Sequence, residues 1–244
     1  MALLFLYPFA IFYQLYFSES LFLLLSVIAF LGAWSRRWVA MLGAGALLAS
    51  ARPLGILIIV PLLVVVLEVT RGRAPHERWL GIVCAVLVPL GLVPFAVLNH
   101  VRTGDWHYFS TAQELWGYEN VALLTNLWKN LVGKAIAFPT LPWHRFHSSR
   151  LDYLVMLAFG AVLVAMWRDR RFPRALTLWS TLLWLAPLAS KDLMSFGRYM
   201  SVSFPVFMFA AFRLHGAART GLLVACAAGY LVALYGIMTY AWVG

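Results

Sequence analysis

Two arginines and a few carboxylates stand in short polar breaks of an otherwise apolar chain, and their types suit a phosphorylated ligand. Arg52, in Ala51-Arg52-Pro53-Leu54-Gly55, and Arg198, in Ser195-Phe196-Gly197-Arg198-Tyr199, each carry a planar guanidinium whose fork matches phosphate oxygens. Either can equally snorkel to lipid headgroups, with Tyr199 beside Arg198 as an interfacial ring. Glu19, in Ser18-Glu19-Ser20, opens an apolar run. There it can sit on the positive end of a helix dipole capped by Ser18, or meet a cation at membrane depth, for which Arg52 is the natural partner. Asp105 follows the turn signal Thr103-Gly104, and it stands with Gln113 among Trp106, Tyr108, Phe109, Trp116 and Tyr118. These rings can offer their faces to a sugar or rest among headgroups. His144 and His147 are three apart, but no acidic or cysteine ligand has suitable local spacing and Pro139 and Pro142 oppose a regular helix there, so no metal site is expected. No phosphate loop, nucleophile elbow, zincin pattern or dinucleotide fingerprint occurs.

These groups must be positioned by elements suited to lipid. Of 244 residues, 63 % are apolar and 11 % charged, against roughly 45–50 % and about 25 % in soluble domains. Cys84 and Cys226 each lie inside an apolar run and read as small buried hydrophobes. Apolar runs between polar breaks predict helices near 2–17, 20–34, 38–51, 54–69, 79–98, 151–167, 175–189, 200–212 and 220–242. The predicted fold is all-α, a polytopic integral membrane protein of about eight to nine transmembrane helices, with 1–244 as a single transmembrane domain. Within it, 99–150 reads as an extracytoplasmic, membrane-associated loop. Inside that loop Leu124, Leu127, Trp128, Leu131, Val132, Ala135 and Ile136 recur at helical spacing, while Lys129, Asn130 and Lys134 fall elsewhere on the wheel. This predicts one interfacial amphipathic helix. Gly43 and Gly45 read as close-packing sites between helices.

Charge sets the sidedness. If Arg52-Pro53-Leu54-Gly55 is the tip of a hairpin and not a kink, the breaks 35–37, 70–78, 168–174 and 213–219 share one side and hold 11 Lys/Arg in 26 residues. The opposite breaks hold 8 in 68, and the face they share carries six of the nine carboxylates, five in the breaks and Asp152 just past residue 150. By the positive-inside rule the basic side is cytoplasmic. The net charge of +10 thus becomes a topology signal, and no nucleic-acid partner is called for. Glu19, Arg52, Asp105 and Arg198 all fall on the outer side.

Tyr7-Pro8-Phe9-Ala10 leading to Phe17-Ser18-Glu19-Ser20-Leu21-Phe22, followed by Ala51-Arg52-Pro53-Leu54-Gly55, resembles the PIG-V-type mannosyltransferases, the GPI mannosyltransferase 2 family and its bacterial relatives. Thr103-Gly104-Asp105 through Phe109 to Ala112-Gln113 and Trp116, and Gly197-Arg198-Tyr199 through Phe204-Pro205, fit the same order. The resemblance implies a GT-C fold and inverting transfer of a sugar, mannose by family, from a polyprenyl-phosphate donor on the extracytoplasmic face. It implies no cofactor beyond that donor and membrane lipid as partner; the style of the sequence suggests a bacterial inner (plasma) membrane as its residence. On it, Arg52 and Arg198 are expected at phosphate, Glu19 at the acceptor or orienting Arg52, Asp105 and Gln113 at hydroxyls, and Tyr199 beside the substrate. The family's general base lies in a first outer loop of Trp-Asp-x-x-Trp-Tyr type, which has no counterpart here. Met1 falls inside the third helix by family order, so an N-terminally truncated chain is expected, and Trp106 replaces the family's Pro after Gly-Asp. Two further classes stay open: a non-catalytic membrane partner of a glycosyltransferase complex, and a lipid or solute transporter.

Overall fold

A computed structural model describes residues 1–106, 108, 123–141, 150–190, 193 and 195–239. Every regular element among them is helical. Three helices are long and apolar enough to cross a membrane: Pro75–Thr103, Arg150–Arg168 and Gly216–Met238. At about 1.5 Å per residue they run from about 27 Å upward, the scale of a hydrocarbon core of about 30 Å. Helices Glu19–Trp34, Trp38–Ala51, Pro53–Val69 and Phe204–Arg213 are apolar but shorter. Only 6 % of the most apolar window of Gly216–Met238 is buried, leaving Val224, Leu231, Val232, Tyr235 and Met238 in the open. In water that surface would be a large exposed apolar patch; lipid is the solvent it fits.

Backbone contacts divide the chain, read from sequence as one transmembrane domain, into two compact units. One comprises Met1–Glu19, Gly117–Phe172 and Ser180–Gly244, the other Ser20–Trp116 and Pro173–Trp179.

In the second unit, Arg52 is extended (φ −153°, ψ 135°), the conformation that the following Pro53 imposes by steric clash. The 3-10 turn Pro53–Ile58 folds back so tightly that a Cβ on Gly55 would lie 2.4 Å from the Leu48 carbonyl oxygen. A Cβ on Gly81 would meet both Val66 and Trp38, so the end of Pro53–Val69 returns to the level at which Trp38–Ala51 begins. The break at Arg52 is therefore a hairpin tip. Nη1 of Arg36 and Oε1 of Glu77 pair at 3.1 Å, which brings the breaks 35–37 and 70–78 together as the charge pattern requires. The predicted helix 79–98 extends over Pro75–Thr103, with a 3-10 stretch Val88–Leu92 crossing Trp38–Ala51 where Gly91 abuts Ala46 and Gly45 abuts Val88. Gly43, expected to pack closely as well, faces open space.

In the first unit, the predicted span 2–17 is broken. Pro8 holds Tyr7 extended (φ −57°, ψ 134°), so helix Ala2–Phe5 stops and a 3-10 segment Pro8–Tyr13 takes over. That segment lies against Gly216–Met238, where a Cβ on Gly229 would come within 2.7 Å of Pro8. The predicted span 200–212 is likewise two pieces, Phe196–Ser201 and Phe204–Arg213, because Pro205 has no N–H to continue a helix but fits a first turn. Asp169 pairs with Arg213, so the basic breaks 168–174 and 213–219 also meet.

The amphipathic segment packs by its polar edge. Leu123–Trp128, a π turn Lys129–Gly133 and Lys134–Ala137 follow one another. Leu124, Trp128 and Ile136 face outward, while Asn126 and Asn130 are buried. Asn126 Nδ2 donates to the Ala189 carbonyl at 2.8 Å, and Asn130 Nδ2 donates to those of Leu188 and Ser190 at 3.0 and 2.9 Å. The end of helix Arg174–Leu188 leaves carbonyls without helical partners, and the two amides fill them. Leu124, Trp128 and Ile136 are thereby left exposed, and the polar edge serves as the dock.

Candidate functional site

The densest polar constellation of the first unit surrounds the six-residue helix Phe196–Ser201. Ser195 precedes it in the left-handed region (φ 54°) and gives no side-chain cap. Asp152, buried in the first turn of Arg150–Arg168, fills the role: its Oδ1 accepts from the Phe196 N–H at 2.8 Å. The aromatic 3-10 segment holds the other flank. Tyr7 Oη donates to the Gly197 carbonyl at 3.1 Å, and Tyr13 Oη to the Ser201 carbonyl at 2.5 Å. Gly197 is where the segment comes closest, since a Cβ there would stand 2.2 Å from Phe9 Cε2. Ser201 Oγ closes back on the Arg198 carbonyl at 2.7 Å.

Arg198 projects from this clamped helix. Its Nε donates to Oε1 of Glu19, a fully buried carboxylate in the first turn of Glu19–Trp34. Its Cζ lies 3.9 Å from the Phe17 ring centroid and 4.8 Å from that of Phe12, two rings that meet edge to face. The guanidinium is thus collared by two π faces and tied along one edge, and its side chain is only 16 % exposed. Among the described residues nothing bonds to Nη1 or Nη2. This outer edge is the pair of parallel donors with which an arginine takes a phosphate or carboxylate bidentately.

Helix Arg150–Arg168 also gives the site its depth. Asp152 at its first turn holds the Arg198 helix, and Asp169 just past its last turn holds Arg213, so the two ion pairs lie at opposite ends of a rod about 27 Å long. At the Arg213 end, the N–H of Arg171 and then the Arg213 guanidinium hold the Asp169 carboxyl below its usual range.

Of the residues singled out from sequence, Glu19 and Arg198 are brought into direct contact, and Tyr199 is half-buried on the same short helix. Arg52 belongs to the second unit, half-buried, with its carbonyl accepting from the Gly55 N–H at 2.8 Å. The Arg198 guanidinium that meets Glu19 comes from 179 positions away in the chain. Asp105 is half-buried just after Gly104 (φ +74°), where Thr103 Oγ1 donates to the Asn99 carbonyl and accepts from the Asp105 N–H. Trp106 stacks flat on His100 at 4.1 Å. Gln113, His144 and His147 lie outside the described residues. No cluster of three or more His, Cys, Asp or Glu with metal-binding geometry occurs among those described.

The chain matches no protein-family model, no curated protein and no solved structure. The site is therefore read from its own chemistry.

Sequence reasoning missed Tyr7, Tyr13, Phe12 and Asp152. The signal for the tyrosines was present, since a Tyr inside an apolar run must find an acceptor for its hydroxyl. Asp152 had a weaker one, an acid at the start of a long apolar helix.

Proposed function

We propose that this protein is a polytopic GT-C-type membrane glycosyltransferase of eight to nine spans, its basic ends in the cytoplasm. It transfers a sugar, mannose by resemblance, from a polyprenyl-phosphate donor on the extracytoplasmic face. The observation that supports this most is the Arg198 guanidinium, held by Glu19 and two aromatic rings with its outer edge uncommitted. In such a transfer an acceptor hydroxyl attacks the anomeric carbon with inversion, and negative charge grows on the departing lipid phosphate. A fixed cation stabilises that charge without having to reorganise. Arg198 takes the phosphate, Glu19 orients Arg198, and Tyr199 flanks the substrate. The general base is assigned to no residue of this chain.

Binding of polyprenyl phosphate and of the uncharged polyprenol to the purified full chain in nanodiscs tests the assignment. Charge-assisted hydrogen bonds contribute roughly 1.5–3 kcal/mol, so Arg198→Ala is expected to weaken polyprenyl phosphate about 10- to 100-fold and leave polyprenol unchanged. Equal binding of polyprenyl phosphate by wild type and variant would refute the phosphate role. The Glu19–Arg198 pair would then be a structural bolt, as a non-catalytic membrane partner would have.

A further inference from the structure

The guanidinium of Arg198 is fixed at one atom and free at its outer edge, so what aims that edge matters as much as the charge itself. Its Nε is tied to Glu19, and Glu19 lies at the start of another helix. Its Cα rides on Phe196–Ser201, a helix of six residues that cannot hold its own orientation. Two side chains grip that helix by its ends. Asp152 accepts from the Phe196 N–H at 2.8 Å, and Tyr13 donates to the Ser201 carbonyl at 2.5 Å. A tilt of the helix about the Nε–Oε1 contact would leave the ion pair made and swing Nη1 and Nη2 away from their target. Displacement of a binding group by about 1 Å is enough to lose much of its effect.

We propose that Tyr13 and Asp152 are positioning residues that aim the outer edge of Arg198 at the phosphate of the lipid-linked donor. This rests on the phosphate reading of Arg198. Neither residue touches the ligand; each acts through the short helix. Tyr13→Phe removes one hydroxyl and keeps the ring that packs edge to face on Phe5. Asp152→Asn keeps an Oδ1 acceptor for the Phe196 N–H, whereas Asp152→Ala removes it.

The readout is the ratio of affinities for polyprenyl phosphate and polyprenol in nanodiscs, measured on the full chain. A purely structural role would move both ligands together or unfold the protein without changing the ratio. Tyr13→Phe and Asp152→Ala are expected to lower the ratio about 3- to 10-fold with polyprenol binding unchanged, and Asp152→Asn to stay within about twofold of wild type. If Arg198→Ala lowers the ratio and neither Tyr13→Phe nor Asp152→Ala does, the positioning role is overturned and the phosphate reading stands. If Arg198→Ala leaves the ratio unchanged, the phosphate reading falls and this role falls with it.

Discussion

Removing Glu19 should destabilise the protein more than removing any exposed charge. The carboxylate is fully buried and the Arg198 side chain 16 % exposed, so neither has water to fall back on. Deleting one partner of a buried pair costs about 3–5 kcal/mol, because the other charge stays behind without it. Arg198 keeps some exposure and two aromatic faces after Glu19→Ala, which argues for the lower end, about 3 kcal/mol. Arg198→Ala removes the Nε donor to the buried Glu19 carboxylate together with two cation–π contacts, so a loss of about 3–5 kcal/mol is expected. Replacing both by Met removes both charges at once and should restore most of the loss, since apolar replacements of buried pairs are often neutral. For a chain of this size each kcal/mol shifts the Tm by about 2–4 °C, which makes Glu19→Ala a loss of about 6–12 °C. Thermal denaturation in one detergent, followed by the retained monodisperse fraction, measures all four proteins of the cycle. A shift under about 2 °C for Glu19→Ala, or a double variant whose loss is the sum of the two singles, would refute a desolvated, coupled pair.

Asn130→Leu should leave the Leu188 and Ser190 carbonyls without their amide, costing about 1–3 kcal/mol, and limited proteolysis should then cut within 123–141 faster than in wild type. Gly91→Ala would place a Cβ 1.9 Å from the Ala46 carbonyl oxygen, a backbone atom that cannot step aside, so a loss of about 3 kcal/mol or more is expected in thermal denaturation, against near-neutrality for Gly43→Ala, which meets nothing. The Asp169–Arg213 tie should be felt at neutral pH and fade in acid. The Asp169 pKa is depressed in the folded state, so its contribution is complete above the ordinary carboxylate value of 3.8 and disappears as pH falls through the lower folded value. The Tm gap between wild type and Asp169→Asn should therefore shrink as pH is lowered to about 3.

Much of the membrane architecture is legible in the chain itself because it depends on composition and local order. Runs of apolar residues between basic breaks mark the helices. Arg52-Pro53-Leu54-Gly55 marks the reversal, since Pro53 forces its predecessor out of the helical region and Gly55 allows the return. The Arg36–Glu77 and Asp169–Arg213 contacts, which bring break 35–37 to 70–78 and break 168–174 to 213–219, come from the structure, since a charge count assigns breaks to sides and not to one another. Proline positions were visible too, although their consequence at Pro8 and Pro205, breaking a predicted span, was underweighted against the apolar run around each.

The site was only half legible. Glu19 and Arg198 could be picked out as charges where lipid penalises charge, but a sequence carries no distance between positions 19 and 198. The amphipathic stripe at 124–136 was correctly periodic, yet periodicity states that two faces differ and leaves open which solvent each one meets. In this protein Leu124, Trp128 and Ile136 of the apolar face stay exposed, and the polar edge is buried because the carbonyls at the end of Arg174–Leu188 take its amides. The sequence by itself determined the all-helical build and the hairpin, which follow from local backbone sterics and the free energy of transfer into lipid. The contact of Glu19 with Arg198, the clamp on Phe196–Ser201 and the inward turn of Asn126 and Asn130 were decided only by tertiary structure, because each depends on which distant donor arrives within hydrogen-bond reach.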